Sequence, residues 1–298
     1  MTLTAFVLVF LSAFLHATWN FLSKKGNPSG AFYLITSCTA VLATSVFFIT
    51  SELPLGDLPL KFWMFYLFSV GFEVCYALGL AYGYKAADIS LVYPLGRATP
   101  LLLIAVISIV FGLGKVPSGL ALVGMGIITI GCIMLPLESF KNFSIRAYCN
   151  KKLVFILPIA IGTTGYTLMD SQAGKVLQEF AVGNSFSKSM WYLFLIESGI
   201  AVSLFVFTLL MPNERREFRT LIRKPVSPII AGLCSSTAYG MVLVAMNYVS
   251  NVSYLQAFRQ ISLPLGVFAG ILLLKENPAP PKLTGVFLIT AGLVMTVL

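Results

Sequence analysis

Charge is what this sequence has least of. Its 298 residues include 20 Lys and Arg and 11 Asp and Glu, 10% in all, where a soluble domain carries about 25%. Histidine occurs once, as His16, with no carboxylate or thiol at ligand spacing, which argues against a metal centre. The five cysteines (Cys38, Cys75, Cys132, Cys149, Cys234) are odd in number and contain no CxxC, so neither a disulfide framework nor a metal site is expected. HExxH, GxSxG and Walker A sequences are missing, which leaves no catalytic residue, cofactor or direct use of ATP to propose. A large polar segment is missing too. The net charge of +9 is scattered between apolar blocks, which fits the connectors of a membrane protein better than a nucleic-acid-binding face. The N-terminus lacks the basic start of a signal peptide, and its apolar stretch is too long for a signal core, so it reads as a first membrane span.

Hydrocarbon is abundant. Hydrophobic residues make up 58% of the chain, and mean hydropathy is +0.90. They fall in blocks of about 20 residues, the length of helix that crosses ~30 Å of hydrocarbon. The blocks are Thr4–Ser23, Gly30–Ile49, Phe62–Tyr84, Ile89–Phe111, Ser118–Leu135, Leu153–Gly174, Lys188–Met211, Val226–Tyr248, Val252–Leu274 and Thr284–Leu298. This pattern predicts an all-α integral membrane protein of about ten transmembrane helices, with the lipid bilayer as its surroundings. Short Pro-, Gly- or charge-bearing connectors separate the blocks; the most basic are "SFKNFSIRAYCNKK" and "PNERREFRTLIRKP".

The chain repeats itself. Tyr76, Asp88, Ser90, Arg97, Gly124 and Gly131 recur at nearly the same spacings as Tyr239, Asn251, Ser253, Arg259, Gly285 and Gly292, and His16-x-x-x-Asn20 lines up more weakly with Tyr166-x-x-x-Asp170. Two five-helix copies are expected, residues 1–137 and 153–298, joined by a basic connector at 138–152. An odd number of spans per copy makes the second enter from the opposite side, the inverted repeat of many secondary transporters.

"HATWN", "YPLGRATP", "AFRQISLPLGVFAGILLLKE" and a G-x6-G in the last span, in this order and across the whole chain, resemble the EamA family of the drug/metabolite transporter superfamily. The resemblance implies a ten-helix bundle around a central cavity that exports or exchanges small polar metabolites, in a cell membrane such as the bacterial inner membrane. It implies no particular substrate. Members usually carry a glutamate after the fourth and ninth spans; Glu276 is the second, whereas the first copy reads "FGLGK".

A charge facing lipid costs about 2.5–3.5 kcal/mol even on the mildest scale, so each intramembrane charge is a candidate site. Arg97 and Arg259, at matching positions, are expected on opposite walls of one cavity, where a guanidinium suits an anionic substrate group. The competing role is an internal Arg–Glu pair that fixes packing. Glu73, and with less support Glu197, are the candidates for proton coupling, because a carboxyl shielded from water can change protonation state during a cycle. Glu73 could equally be a permanent partner of Arg97, and Glu197 a core carboxyl. His16 and Asn20 share a helix face beside Trp19, which is either a cavity wall or an interfacial anchor. Tyr166 and Asp170 repeat that arrangement, and Tyr76 and Tyr239 either line the cavity or pack in the core. Gly79 and Gly83, Gly266 and Gly270, and Gly119, Gly124, Gly126 and Gly131 are read as close-packing sites. Kinks are expected at Pro94, Pro100 and Pro264.

Fourteen Lys and Arg fall in odd-numbered connectors and four in even ones. That places the odd connectors in the cytoplasm and both termini outside; the resemblance implies both termini inside. The expected function is secondary transport of a small polar metabolite, an amino acid or another anionic or zwitterionic compound. A ligand-binding receptor or scaffold and an intramembrane enzyme are the alternatives.

Overall fold

The computed structural model describes residues 2–86, 89–137, 139–142, 154–274 and 279–297, and among them every regular element is helical. The helices are α1 (Leu3–Lys25), α2 (Gly30–Ile49), α3 (Leu60–Ala86), α4 (Ile89–Val110), α5 (Gly119–Met134), α6 (Ile156–Gln178), α7 (Ser185–Leu210), α8 (Pro212–Leu221), α9 (Val226–Met246), α10 (Val252–Phe258), α11 (Ser262–Leu274) and α12 (Pro280–Val297). Side-chain caps begin several: Ser29 accepts from Phe32 N–H, Ser118 from Ala121, Asn184 from Ser187 and Asn251 from Ser253. Among the described residues seven helices, α1, α2, α3, α4, α7, α9 and α12, are long and apolar enough to cross a membrane. The chain is a multi-pass helical membrane protein. Large apolar side chains point outward along these helices: Leu42 is 77% exposed and Phe287 70%, a surface suited to lipid rather than water.

The other three expected spans differ for identifiable reasons. Helix α5 has 16 residues, about 24 Å of rise against ~30 Å of hydrocarbon. Helix α6 has 23 residues, but Thr163, Thr164, Tyr166, Thr167, Asp170 and Ser171 are all buried on it, so its polarity faces protein. The ninth block is broken: α10 gives way to a 3-10 turn at Arg259–Ile261 before α11 resumes. Pro264 has no N–H to offer the Gln260 carbonyl one turn back, and its ring crowds that carbonyl. Pro94 and Pro100, by contrast, lie within a continuous α4.

The principal pairings are α1 with α9, α3 with α6, α2 with α7 and α5 with α12. In the last, a Cβ on Gly124 would lie 2.6 Å from the Gly292 carbonyl, and one on Gly131 2.7 Å from that of Gly285. Only glycine permits this approach. Gly79 likewise meets the backbone of Ile159, but Gly119, Gly126 and Gly266 have nothing within 4 Å, so their expected close packing is corrected to open surface. Asp88, Cys149, Glu276, the surroundings of Gly270 and most of the 138–152 connector lie outside the described residues.

The connector after α7 folds as α8, which begins with Pro212 at a position where a missing N–H costs nothing. Its buried Glu214 accepts from Ala31 N–H (2.9 Å) and Tyr82 OH (3.0 Å), and Glu217 accepts from Asn27 Nδ2 (2.6 Å). These contacts clamp α8 across the start of α2 and the end of α3.

Candidate functional site

The break in the ninth block sets the position of Arg259. Its guanidinium enters the centre of the bundle, where Tyr76 from α3, Tyr166 from α6 and Tyr239 from α9 surround it. The rings form a chain of edge contacts, Tyr76 to Tyr166 and Tyr166 to Tyr239, each with centroids 5.6 Å apart. Among the described residues the guanidinium donates to Gln256 Oε1 at 3.3 Å, one turn earlier, and hydrogen-bonds with the Tyr166 hydroxyl.

These groups border a cavity of about 70 Å³. Opposite charge comes from Glu73 on α3 and Glu197 on α7, which line the same space. Ser37 on α2 hydrogen-bonds with Glu197, while Glu73 has no hydrogen bond among the described residues. The competing reading, an internal Arg–Glu pair, is not seen: among the described residues the ion pairs within 4.0 Å are Lys61–Glu179 and Lys85–Glu217, both outside the cavity. The centre therefore holds one guanidinium and two carboxyls without a direct contact between them. Groups so placed can each bind a different part of one ligand.

Helix α1 supplies the rest. Trp19 is 5% exposed and lines the cavity. Its Nε1–H donates to His16 Nδ1 at 3.1 Å, so the proton of a neutral His16 ring sits on Nε2. Nε2 is buried and has no partner among the described residues. Leaving such a donor unpaired costs about 1–3 kcal/mol, which favours an acceptor arriving from the cavity.

Three sequence candidates lie elsewhere. Asn20 donates to the His16 carbonyl at 2.8 Å and accepts from Tyr84 OH at 2.7 Å, joining α1 to α3. Arg97 is clasped to the broken block: its Nη2 donates to the Arg259 carbonyl at 2.7 Å and its Nε to Gln260 Oε1 at 3.3 Å. Gln260 Nε2 returns a bond to the Arg97 carbonyl at 3.2 Å. The two arginines are thus neighbours, not opposite walls, and share only a void of about 10 Å³, room for about one water. The carbonyl that Arg97 takes is that of Arg259, one residue before the Gln260 carbonyl that Pro264 cannot serve.

Asp170 lies between two spaces. Its carboxylate accepts from Tyr239, which lines the central cavity, and from Ser69 and Tyr192, the last at 2.8 Å. Asp170 and Tyr192 also border a second cavity, of about 300 Å³, near the ends of α6 and α9. Lys175, Lys188, Gln178 and Asn247 line that vestibule. A single hydrogen-bonded layer separates the two.

No family model and no curated protein matches the chain. A solved structure described simply as a crystal structure of a protein is similar to it over 99% of this chain and 96% of its own, with a TM-score of 0.71 and 12% identity. The likeness is one of fold. The chemistry rests on this chain's own residues.

Several contributors carry no signal in the sequence. Ser69 and Tyr192 become partners of Asp170 only through packing across 101 and 22 residues. Gln256 was readable, since it precedes Arg259 by one helical turn on the same face.

Proposed function

We propose that this protein is a secondary transporter of a small zwitterionic or anionic metabolite, such as an amino acid, acting as an exporter or exchanger by alternating access. The observation that carries the reading is Arg259, held in the middle of the bundle with no carboxylate of the described residues within 4.0 Å and facing Glu73 and Glu197 across the same cavity. The guanidinium and the His16 Nε2–H suit a carboxylate; the two carboxyls suit an ammonium. At about 70 Å³ the space is well below the ~300 Å³ of a ligand pocket, so binding requires the bundle to open. The Asp170–Tyr239 layer and the Asn20–Tyr84 contact are the two places where it would part. Glu73, free of hydrogen bonds among the described residues, is the group we assign to proton exchange, with Glu197 second.

Ten spans in two inverted copies remain part of the proposal. Exchanging the copies converts the α1–α9 pairing into α6–α3 and leaves α2–α7 and α5–α12 unchanged, which supports it. So do the reciprocal contacts of Gly124 with Gly292 and Gly131 with Gly285. The resemblance to EamA transporters points the same way. The resemblance points to a cell membrane such as the bacterial inner membrane, and the excess of basic residues places the odd connectors in the cytoplasm and both termini outside.

A ligand screen tests the charge arrangement. Purified protein in detergent, heated with matched zwitterionic amino acids, their amides and their decarboxylated amines, is expected to gain thermal stability only with compounds that keep the carboxylate. Stabilisation by the amines alone would reverse the assignment of Arg259.

A further inference from the structure

Helix α8 presents two different faces. Its acids are already engaged: Glu214 with Ala31 and Tyr82, and Glu217 with Asn27. Arg215 and Arg219, four residues apart on another face, are exposed, and neither guanidinium has a partner among the described residues. Both border a groove of about 170 Å³ whose remaining walls are Leu34, Phe205, Thr208, Leu209 and Phe218. This groove is almost wholly apolar, yet Thr208 in its wall is 4% exposed, with a hydroxyl that has no partner among the described residues. Its position follows from the chain: α8 starts two residues after the end of the membrane-crossing helix α7, so the arginines stand at the level where hydrocarbon meets headgroups.

We propose that this groove is a binding site for an anionic phospholipid. An acyl chain lies along Leu34, Phe205 and Leu209, the Thr208 hydroxyl donates to an ester or phosphate oxygen, and the phosphate bridges Arg215 and Arg219. Charge complementarity selects the occupant. Residues 211–225 carry five basic groups and two acids, and both acids are bound to protein, so the field at the groove is positive. A neutral lipid would fill the apolar part but leave the arginine pair unanswered. The inference depends on the membrane setting of α7 and not on transport.

Purified full-length protein would be exchanged with vesicles of equal phosphatidylglycerol and phosphatidylcholine, and the retained lipids measured by native mass spectrometry. The wild type is expected to keep phosphatidylglycerol about tenfold over phosphatidylcholine, a ratio in line with one to two basic contacts. The R215Q/R219Q variant should lose that preference, whereas R223Q/K224Q, which removes equal charge beyond the groove, should keep it. All four positions are exposed, so folding should be unaffected. No preference in the wild type, or equal loss in both double variants, would overturn the proposal, the second result exposing a diffuse surface charge instead of a site.

Discussion

Arg259→Ala is expected to abolish ligand-dependent stabilisation and to weaken binding about 100-fold, the scale on which a buried charge pair with a ligand is lost. The fold should tolerate it, because the guanidinium's partners, Gln256 Oε1 at 3.3 Å and the Tyr166 hydroxyl, both border a void where water can replace it. The carboxylate-bearing compounds of the stability screen give the readout. Arg259→Lys should fall between the two, since an ammonium keeps the charge but loses the planar fork. An alanine variant that binds as well as wild type would remove Arg259 from the site.

Arg97→Ala should behave in the opposite way. Arg97 holds α4 to the broken ninth block through the Arg259 carbonyl and Gln260. Removing it leaves the buried Gln260 Oε1 without a donor and the Arg259 carbonyl with only the Ser262 hydroxyl, a loss of about 1–3 kcal/mol in stability. The folded fraction should bind ligand within a few-fold of wild type. Heat-inactivation curves with and without ligand separate the two effects. Normal stability with lost binding would mean that Arg97 touches the ligand after all.

That contrast shows what a sequence can disclose here. Arg97 and Arg259 stand out equally, because both are rare charges in apolar blocks at matching places. What distinguishes them is the break in the ninth block, at which Arg259 enters the cavity while Arg97 donates to the Arg259 carbonyl, a contact across 162 residues. The apolar blocks were legible because membrane length imposes its own period. Helix α6 was harder to read, since its polar face turns toward α3 and the cavity. The His16–Trp19 bond was legible as i to i+3 spacing, and so was the shared face of His16 and Asn20. Yet Asn20 turned to Tyr84 instead of the cavity, and the Asp170 layer depends on Ser69, Tyr192 and Tyr239 from three other helices. Amphipathic α8 was visible only as a basic connector, because its role lies in which helix ends Glu214 and Glu217 reach.

The central claim is that this cavity opens in turn to both sides of a membrane. Its most direct test is exchange in proteoliposomes: vesicles loaded with the ligand that the screen identifies, diluted into buffer containing the labelled compound. The account predicts rapid accumulation of label with wild type and background uptake with Arg259→Ala. Saturable binding to wild type with no label inside the vesicles would contradict transport and leave a binding protein in its place.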